Sequence, residues 1–268
     1  MARPTLSYLK NLILFLYGLP LGTLTGLTAI ASSVFTVPVV RSLLGLRPAR
    51  AVGTGLAVTF FTAFAAILSY GQQRFILVGL SLLLAICQIV GAAWGERVAS
   101  GIPALERASW LWGTLVTAGG LIMVAQGLGH LRLSQFWHNS EHATLAWYAL
   151  AALLAVIVGL VSRIIGLGGV LLVPACIYGL SLSPHVAQGT AIVVLAIASL
   201  PGMLIHARRG DVEPQGATWL SAGGVFGSLA GALWAVKELS DLALILIFGI
   251  VLSVLGVMML WRKEPTAA

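Results

Sequence analysis

Arg163 places a fixed positive charge inside a long apolar run, just ahead of a glycine cluster formed by Gly166, Gly168 and Gly169. A guanidinium forms paired hydrogen bonds with oxyanions, and glycines let backbone amides come close to a ligand. All eight acidic residues fall in expected loops or helix ends, and none is an obvious partner for this arginine. We therefore hypothesise that Arg163 binds an anion. The alternative is that its side chain extends to a membrane interface or caps helix carbonyls.

The composition is that of an integral membrane protein. Of 268 residues, 59% are hydrophobic and only 9% are charged, against roughly 25% charged in soluble domains. The net charge of +7 comes from basic residues scattered through short loops, which is typical of cytoplasmic membrane loops and argues against nucleic-acid binding. Cys87 and Cys176 lie inside apolar segments with no metal-ligand spacing, so we expect no disulfide, metal or cofactor.

An internal duplication divides the chain. Shifting the sequence by 136 residues aligns Leu24 to Met123 with the second half without a gap. Matching prolines and glycines are informative because they fix backbone geometry. We predict a first repeat at 1–128, a polar linker at 129–142 and a second repeat at 143–268. The matched pairs are Pro38 with Pro174, Pro48 with Pro184, Gly53 with Gly189, Thr54 with Thr190, Gly91 with Gly227, Gly95 with Gly231 and Gly113 with Gly249.

Each repeat has the same predicted elements: a long apolar segment, a break, a short apolar piece and three further helices. The short piece of about 12 residues would span only about 18 Å, too little to cross about 30 Å of hydrocarbon. In order, the predicted elements are 11–30, a break at 31–33, 34–46, 51–70, 75–98 and 109–128, then 143–165, a break at 166–169, 170–182, 185–206, 215–236 and 241–261.

The basic residues favour one topology. If the short pieces continue the crossing, the lysines and arginines other than Arg163 divide 8 to 6 between the two sides. If each short piece returns to its starting side, they divide 11 to 3, as the positive-inside rule requires. We therefore predict an all-α polytopic protein with two inverted repeats, each with a re-entrant broken helix and three transmembrane helices. Both termini are then cytoplasmic in a bacterial cytoplasmic membrane.

Paired breaks at membrane depth predict a binding site for an anion, because helix N-termini there present free N–H groups and a positive dipole end. Ser32 and Ser33 would add hydroxyl donors at the first break. Thr54 and Thr190 would add donors one helix later, although back-bonding to their own helix is as plausible. Gln188 is a further candidate, for which contact between helices is the alternative interpretation.

The second repeat resembles the sulfite exporter TauE/SafE family, also called the toluene-sulfonate uptake permease family. The resemblance rests on Gly166-Leu-Gly168-Gly169-Val170, Pro174, Ala187-Gln-Gly189-Thr190 and the basic turn before Asp211-Val212. It departs from the family's pattern at Val170, where a third glycine is expected, and at Arg163, where a small or apolar residue is expected. Both repeats fit, and the resemblance implies transport of sulfite, sulfoacetate or other organosulfonates.

We therefore predict a secondary transporter of small anions, whose partners are the anion and the lipid bilayer, with a homo-oligomer left open. No Gly-x-x-x-x-Gly-Lys-[Ser/Thr] loop is present in the sequence, so we expect coupling to protons or to the anion gradient. A membrane scaffold is the main alternative, since close-packing glycines suit it, but it leaves the paired breaks unexplained. A membrane-embedded enzyme is less favoured because the sequence shows no nucleophile–base or His-Glu-x-x-His pattern.

Overall fold

The computed structural model describes residues 4–101, 109–130, 144–165 and 170–261, and this part of the chain is helical without strands. Seven of its helices are long and apolar enough to cross a membrane. Pro48, Pro184 and Pro214 each stand at the first position of a helix, where the missing N–H costs nothing. The helices are α1 (Pro4–Thr28), α2 (Ser33–Leu44), α3 (Pro48–Gln72), α4 (Val78–Gly101), α5 (Ser109–Gly127), α6 (Leu145–Ile165), α7 (Leu172–Pro174), α8 (Pro184–Arg208), α9 (Pro214–Glu238) and α10 (Asp241–Trp261).

The predicted break in the first repeat is present, shifted by one to two residues towards the N-terminus. Residues 29–32, the first break, are non-helical, and Ser33 already belongs to α2. Ala29 has φ 55°, a left-handed conformation that is uncommon for alanine. The N–H of Ile30 turns to the Thr28 hydroxyl at 3.3 Å, so the helical ladder of α1 ends there. All four residues of the break are buried.

The short helix α2 is a return arm, as predicted. Its first residue lies beside Thr59, in the middle of α3, and Val37 lies beside Gly55 nearer the start of α3. The chain then turns at Gly45, whose φ of 63° and N–H bond to the Arg41 carbonyl close α2. Thus α2 runs antiparallel to α3, and α1 and α3 run parallel. The re-entrant arrangement is confirmed for the first repeat.

The short piece of the second repeat is helical but irregular. The single turn α7 runs directly into a π-helical turn at Ala175–Gly179, which ends at Leu180. Such π turns are rare and are often found at functional sites. The preceding segment, residues 166–169, is the predicted second break and lies outside the described residues, as does most of the predicted linker.

The inverted relation of the repeats is visible in α5 and α10, which are equivalent by sequence. Gly113 of α5 lies against Gly256 and Leu260 of α10, whereas Gly127 lies against Leu246. The two helices are therefore antiparallel. The contacts are also reciprocal: Gly120 faces Gly249, which is the counterpart of Gly113, just as Gly113 faces the counterpart of Gly120. Equivalent helices that run in opposite directions are the signature of inverted repeats.

Two compact units divide the chain, and each contains helices of both repeats. The first comprises residues 1–86 and 188–238, and the second comprises 87–187 and 239–268. In the first unit α1 packs in parallel against α9, where a Cβ on Gly22 would overlap the backbone of Gly224. In the second unit the equivalent pair, α6 and α4, repeats this crossing, with Gly91 against the Val156 carbonyl. Glycines at these crossings let the helix backbones touch.

Candidate functional site

The first break leaves backbone groups without helical partners, and side chains of α3 bind two of them, a carbonyl and an amide. The carbonyl of Gly26 loses the N–H of Ile30 and accepts instead from the Tyr70 hydroxyl at 3.0 Å. The N–H of Ser33, at the start of α2, donates to Thr59 Oγ1 at 2.8 Å. An unpaired backbone group in hydrocarbon costs several kcal/mol, at least ~2. These two side chains of α3 are therefore what makes the interruption tolerable.

Three buried hydroxyls, those of Ser32, Thr59 and Thr62, form a directional chain that we call the hydroxyl cluster. Ser32 Oγ lies 3.1 Å from both threonine oxygens. Thr62 donates to the Val58 carbonyl at 2.8 Å, so it must accept from Ser32. Since the one proton of Ser32 goes to Thr62, Thr59 donates to Ser32 while it accepts the Ser33 N–H. Every hydroxyl then donates its one proton within the protein, so the cluster offers no free O–H donor to an anion.

Gln188 is placed next to the same break through Tyr70. Its side-chain amide lies 2.9 Å from the Tyr70 hydroxyl, and both residues are buried. A phenol has one proton, and the Gly26 carbonyl can only accept. The structure places Gln188 Oε1 at this contact, and exchanging its amide oxygen and nitrogen lets the NH₂ donate to Tyr70 while Tyr70 donates to Gly26. This supports the alternative interpretation of Gln188 as a contact between helices, and its role in substrate binding stays a prediction.

Thr54 and Thr190 make matching contacts with the other repeat. Thr54 Oγ1 accepts the backbone N–H of Glu213, just before α9, at 2.9 Å and donates to the Arg50 carbonyl at 2.7 Å. Thr190 Oγ1 accepts the N–H of Leu77, just before α4, at a longer 3.4 Å. Residues 77 and 213 are themselves equivalent, so the two contacts are related by the repeat. Both threonines thus have structural partners, and their contact with a substrate stays a prediction.

The neighbouring glycines extend this relation. A Cβ on Gly53 would strike the carbonyl of Asp211, and one on Gly189 would strike the carbonyl of Phe75. Residues 75 and 211 are again equivalent. Each repeat therefore holds the loop of the other at the N-terminal part of one helix. We call the contact of Gly53 and Thr54 with residues 211–213 the charged clamp, and that of Gly189 and Thr190 with residues 75–77 the uncharged clamp.

The expectation that Arg163 lacks an acidic partner is wrong. Its Nη2 lies 3.1 Å from Glu96 Oε1, although the two residues are far apart in sequence. The parallel crossing of α4 and α6 puts Gly95 against Leu160 and the Arg163 Cβ, and this brings Glu96 alongside. The side chains remain 52% and 68% exposed, so the pair is open to its surroundings. Its role in substrate binding stays a prediction.

The residues predicted for the site and those that the structure brings together at the first break are not the same set. Gly166, Gly168 and Gly169 lie outside the described residues. Sequence reasoning missed Thr59, Thr62 and Tyr70, which complete the first break. A signal was available: threonines three residues apart in an apolar helix, next to a helix that ends in Ala31-Ser32-Ser33, offer hydroxyls where unpaired backbone groups need them. Among the described residues no group of three His, Cys, Asp or Glu could hold a metal ion.

Helices that cross the membrane, arranged as inverted repeats with a re-entrant arm beside a buried polar cluster, define the class of membrane transporters. The sequence profile described as Sulfite exporter TauE/SafE matches residues 2–123 and 151–268. The chain therefore belongs to the TauE/SafE family of membrane transporters.

Curated relatives agree with this class. A probable membrane transporter protein of Xylella fastidiosa (strain 9a5c) is 25% identical over 252 residues, covering 92% of each chain. Probable membrane transporter protein YunE of Bacillus subtilis (strain 168) is 23% identical over 266 residues, covering 93% of this chain and 97% of its own. No solved structure matches significantly.

Proposed function

We propose that this transporter moves small oxyanions, of the sulfite, sulfoacetate or organosulfonate class, across the bacterial cytoplasmic membrane by secondary transport. The observation that carries the proposal is the buried interruption of a membrane helix in an inverted-repeat member of the TauE/SafE family. An interruption of this kind presents backbone amides at membrane depth, where an oxyanion is the ligand that amides and helix dipoles favour.

The second break is the better candidate for direct contact with the anion. At the first break the hydroxyl cluster accepts the N–H of Ser33, and Tyr70 donates to the carbonyl of Gly26. In the second repeat the positions of Ser32, Thr59 and Thr62 are occupied by Gly168, Leu195 and Ala198, none of which has a hydroxyl. The second repeat therefore lacks the hydroxyl groups that form hydrogen bonds at the first break. Its amides are the ones we assign to the cargo, with Arg163 three to six residues upstream in sequence as the complementary charge.

The test is uptake of radiolabelled sulfite and sulfoacetate into proteoliposomes, with sulfate and lactate as comparison anions. We expect uptake of the sulfur oxyanions to fall about tenfold in Gly168→Ala, because an added methyl group holds the anion away from the amides. Gly119→Ala is the matched control, since a Cβ there meets nothing within 4 Å. Reconstituted protein that transports none of these anions would refute the proposal. Equal uptake by Gly168→Ala and Gly119→Ala would remove the second break from the site.

A further inference from the structure

A charged cavity opens at the end of the first unit where α1 and α3 begin. It has a volume of about 760 Å³. Its basic lining residues are Lys10, Arg47 and Arg50, and its acidic ones are Asp211 and Glu213. The three basic side chains belong to exposed residues, so the cavity is open to solvent. We call this cavity the basic vestibule.

One loose ion pair crosses the vestibule. Arg50 Nη1 lies 3.4 Å from Glu213 Oε2, with side chains 44% and 24% exposed. This single contact engages one nitrogen of a group that has five N–H donors. Exposed pairs of this type contribute little to stability. A sulfonate, sulfite or phosphate group that takes two of the guanidinium donors at once therefore competes well with the Glu213 carboxylate.

Glu213 also belongs to the charged clamp. Its N–H donates to Thr54 at 2.9 Å, and its carbonyl accepts the N–H of Ala217 in the first turn of α9. Its side chain therefore ties the N-terminal part of α3 to the point where α9 begins. Whatever draws Arg50 away from Glu213 removes one of the contacts between α3 and this loop.

The uncharged clamp indicates that the ion pair is not needed to hold such a loop. At the repeat-equivalent positions, Leu77 stands for Glu213, Phe75 for Asp211 and Val186 for Arg50. The backbone contacts of Gly189 and Thr190 with this loop persist without any of these charges. The fold thus makes the same clamp with and without ionic groups. We therefore expect the charges of the charged clamp to have a role other than holding the loop.

We propose that the basic vestibule is an oxyanion-binding site at one mouth of the transporter, where Arg50 is shared between Glu213 and the bound anion. The anion draws the guanidinium from Glu213 and loosens the charged clamp. The proposal rests on the proposed function only in taking the cargo as the anion. The same chemistry is offered by a lipid phosphate, which the experiment separates from a soluble anion.

A local reporter tests binding without requiring transport. Ala49 is exposed and lines the vestibule. Ala49→Cys, with Cys87→Ala and Cys176→Ala, is labelled with an environment-sensitive fluorophore and titrated with sulfite, sulfoacetate and inorganic phosphate in phosphatidylcholine nanodiscs. We expect saturable binding that Arg50→Gln weakens about tenfold. Glu213→Gln should tighten binding about threefold because it removes the competing carboxylate. Arg50→Lys should fall between wild type and Arg50→Gln, since it keeps the charge and loses the fork.

Lys237→Gln is the charge-matched control. Lys237 is exposed near the end of α9, at the opposite end of that helix from Glu213, so its variant should bind like the wild type. Unchanged binding in Arg50→Gln, or weaker binding in Glu213→Gln, would overturn the inference, and each variant is checked for a monodisperse elution profile.

Nanodiscs containing phosphatidylglycerol identify the source of the bound anion. Competition between this lipid and soluble anions assigns the site to a headgroup, and the absence of competition assigns it to soluble cargo. Loss of uptake with intact reporter binding would instead count against the proposed function alone.

Discussion

The two repeats have the same backbone plan but distribute their polar groups differently. The first break has serines, and Thr59, Thr62 and Tyr70 of α3 form hydrogen bonds with the break. The predicted second break has glycines, and the matching helix α8 has Leu195 and Ala198 at the threonine positions. At the crossing of α1 with α9, just before the first break, Leu27 and Ala232 are buried apolar residues, whereas their counterparts Arg163 and Glu96 form an exposed ion pair at the crossing of α6 with α4.

This difference separates the groups that hold the architecture from those available to a ligand. Both repeats keep the glycines that let helices touch, because close backbone packing is needed at either crossing. The hydroxyl cluster lies at the first break, whereas the exposed ion pair lies at the crossing of α4 with α6, with Glu96 from the first repeat and Arg163 from the second. We infer that the first break is stabilised by its own side chains and that Arg163 and the glycines of the predicted second break are kept for the anion.

A bulky substitution should disrupt the α1–α9 crossing and the α4–α6 crossing equally. Gly22→Val and Gly91→Val each place atoms where the backbone of the partner helix already lies, that of Gly224 in one case and of Val156 in the other. Relief requires the helices to separate, which costs well above the ~1–3 kcal/mol of ordinary overpacking because backbone cannot yield as side chains do. We expect both variants to lose the monodisperse peak in size-exclusion chromatography. Gly79→Val, on α4 with nothing within 4 Å, is the control and should elute normally.

Arg163 should separate function from stability. Arg163→Ala removes an exposed ion pair, so we expect the free energy of unfolding to change by less than about 1 kcal/mol. Anion uptake should fall about tenfold if the guanidinium contacts the cargo. Glu96→Gln removes the same ion pair but keeps the guanidinium, and its uptake should stay near the wild-type rate. Equal uptake in Arg163→Ala and wild type would leave the arginine with a purely interfacial role.

The sequence predicted the architecture well because prolines, glycines and charges in loops fix local geometry independently of distant contacts. The repeat, the return arm and the inverted orientation follow from residues such as Pro38, Pro174 and the arginines of the α2–α3 turn. The partners of the break were not predictable in the same way. Thr59 meets Ser32, and Glu96 meets Arg163, only after helices distant in sequence pack together. The crossing of α4 and α6 that pairs Arg163 is set by close glycine contacts, which hydropathy does not record.

Thr59→Val tests whether the first break is held by its own side chains. The substitution keeps the shape of the side chain but leaves the Ser33 N–H without its acceptor and Ser32 without a donor. A buried donor without a partner costs about 1–3 kcal/mol, so we expect a loss of that size in SDS titration. Thr218→Val is the control, because Thr218 is exposed and donates only along its own helix to Pro214. A loss no larger than that of the control would mean that the cluster does not stabilise the interruption.

The smallest expected difference in stability is between the two clamps, and the charged clamp should lose more than the uncharged one. Thr54→Val removes the acceptor of the Glu213 N–H at 2.9 Å, whereas Thr190→Val removes a contact of 3.4 Å with the Leu77 N–H. Hydrogen bonds weaken with such lengthening, so we expect about 1 kcal/mol from the first and a few tenths from the second. Thr114→Val, exposed and bonded only to its own helix, sets the baseline. Both threonines are fully buried, so burial does not bias the comparison. If Thr190→Val costs as much as Thr54→Val, the shorter backbone contact does not make the charged clamp more stable. The Arg50–Glu213 ion pair is then the remaining difference between the two clamps.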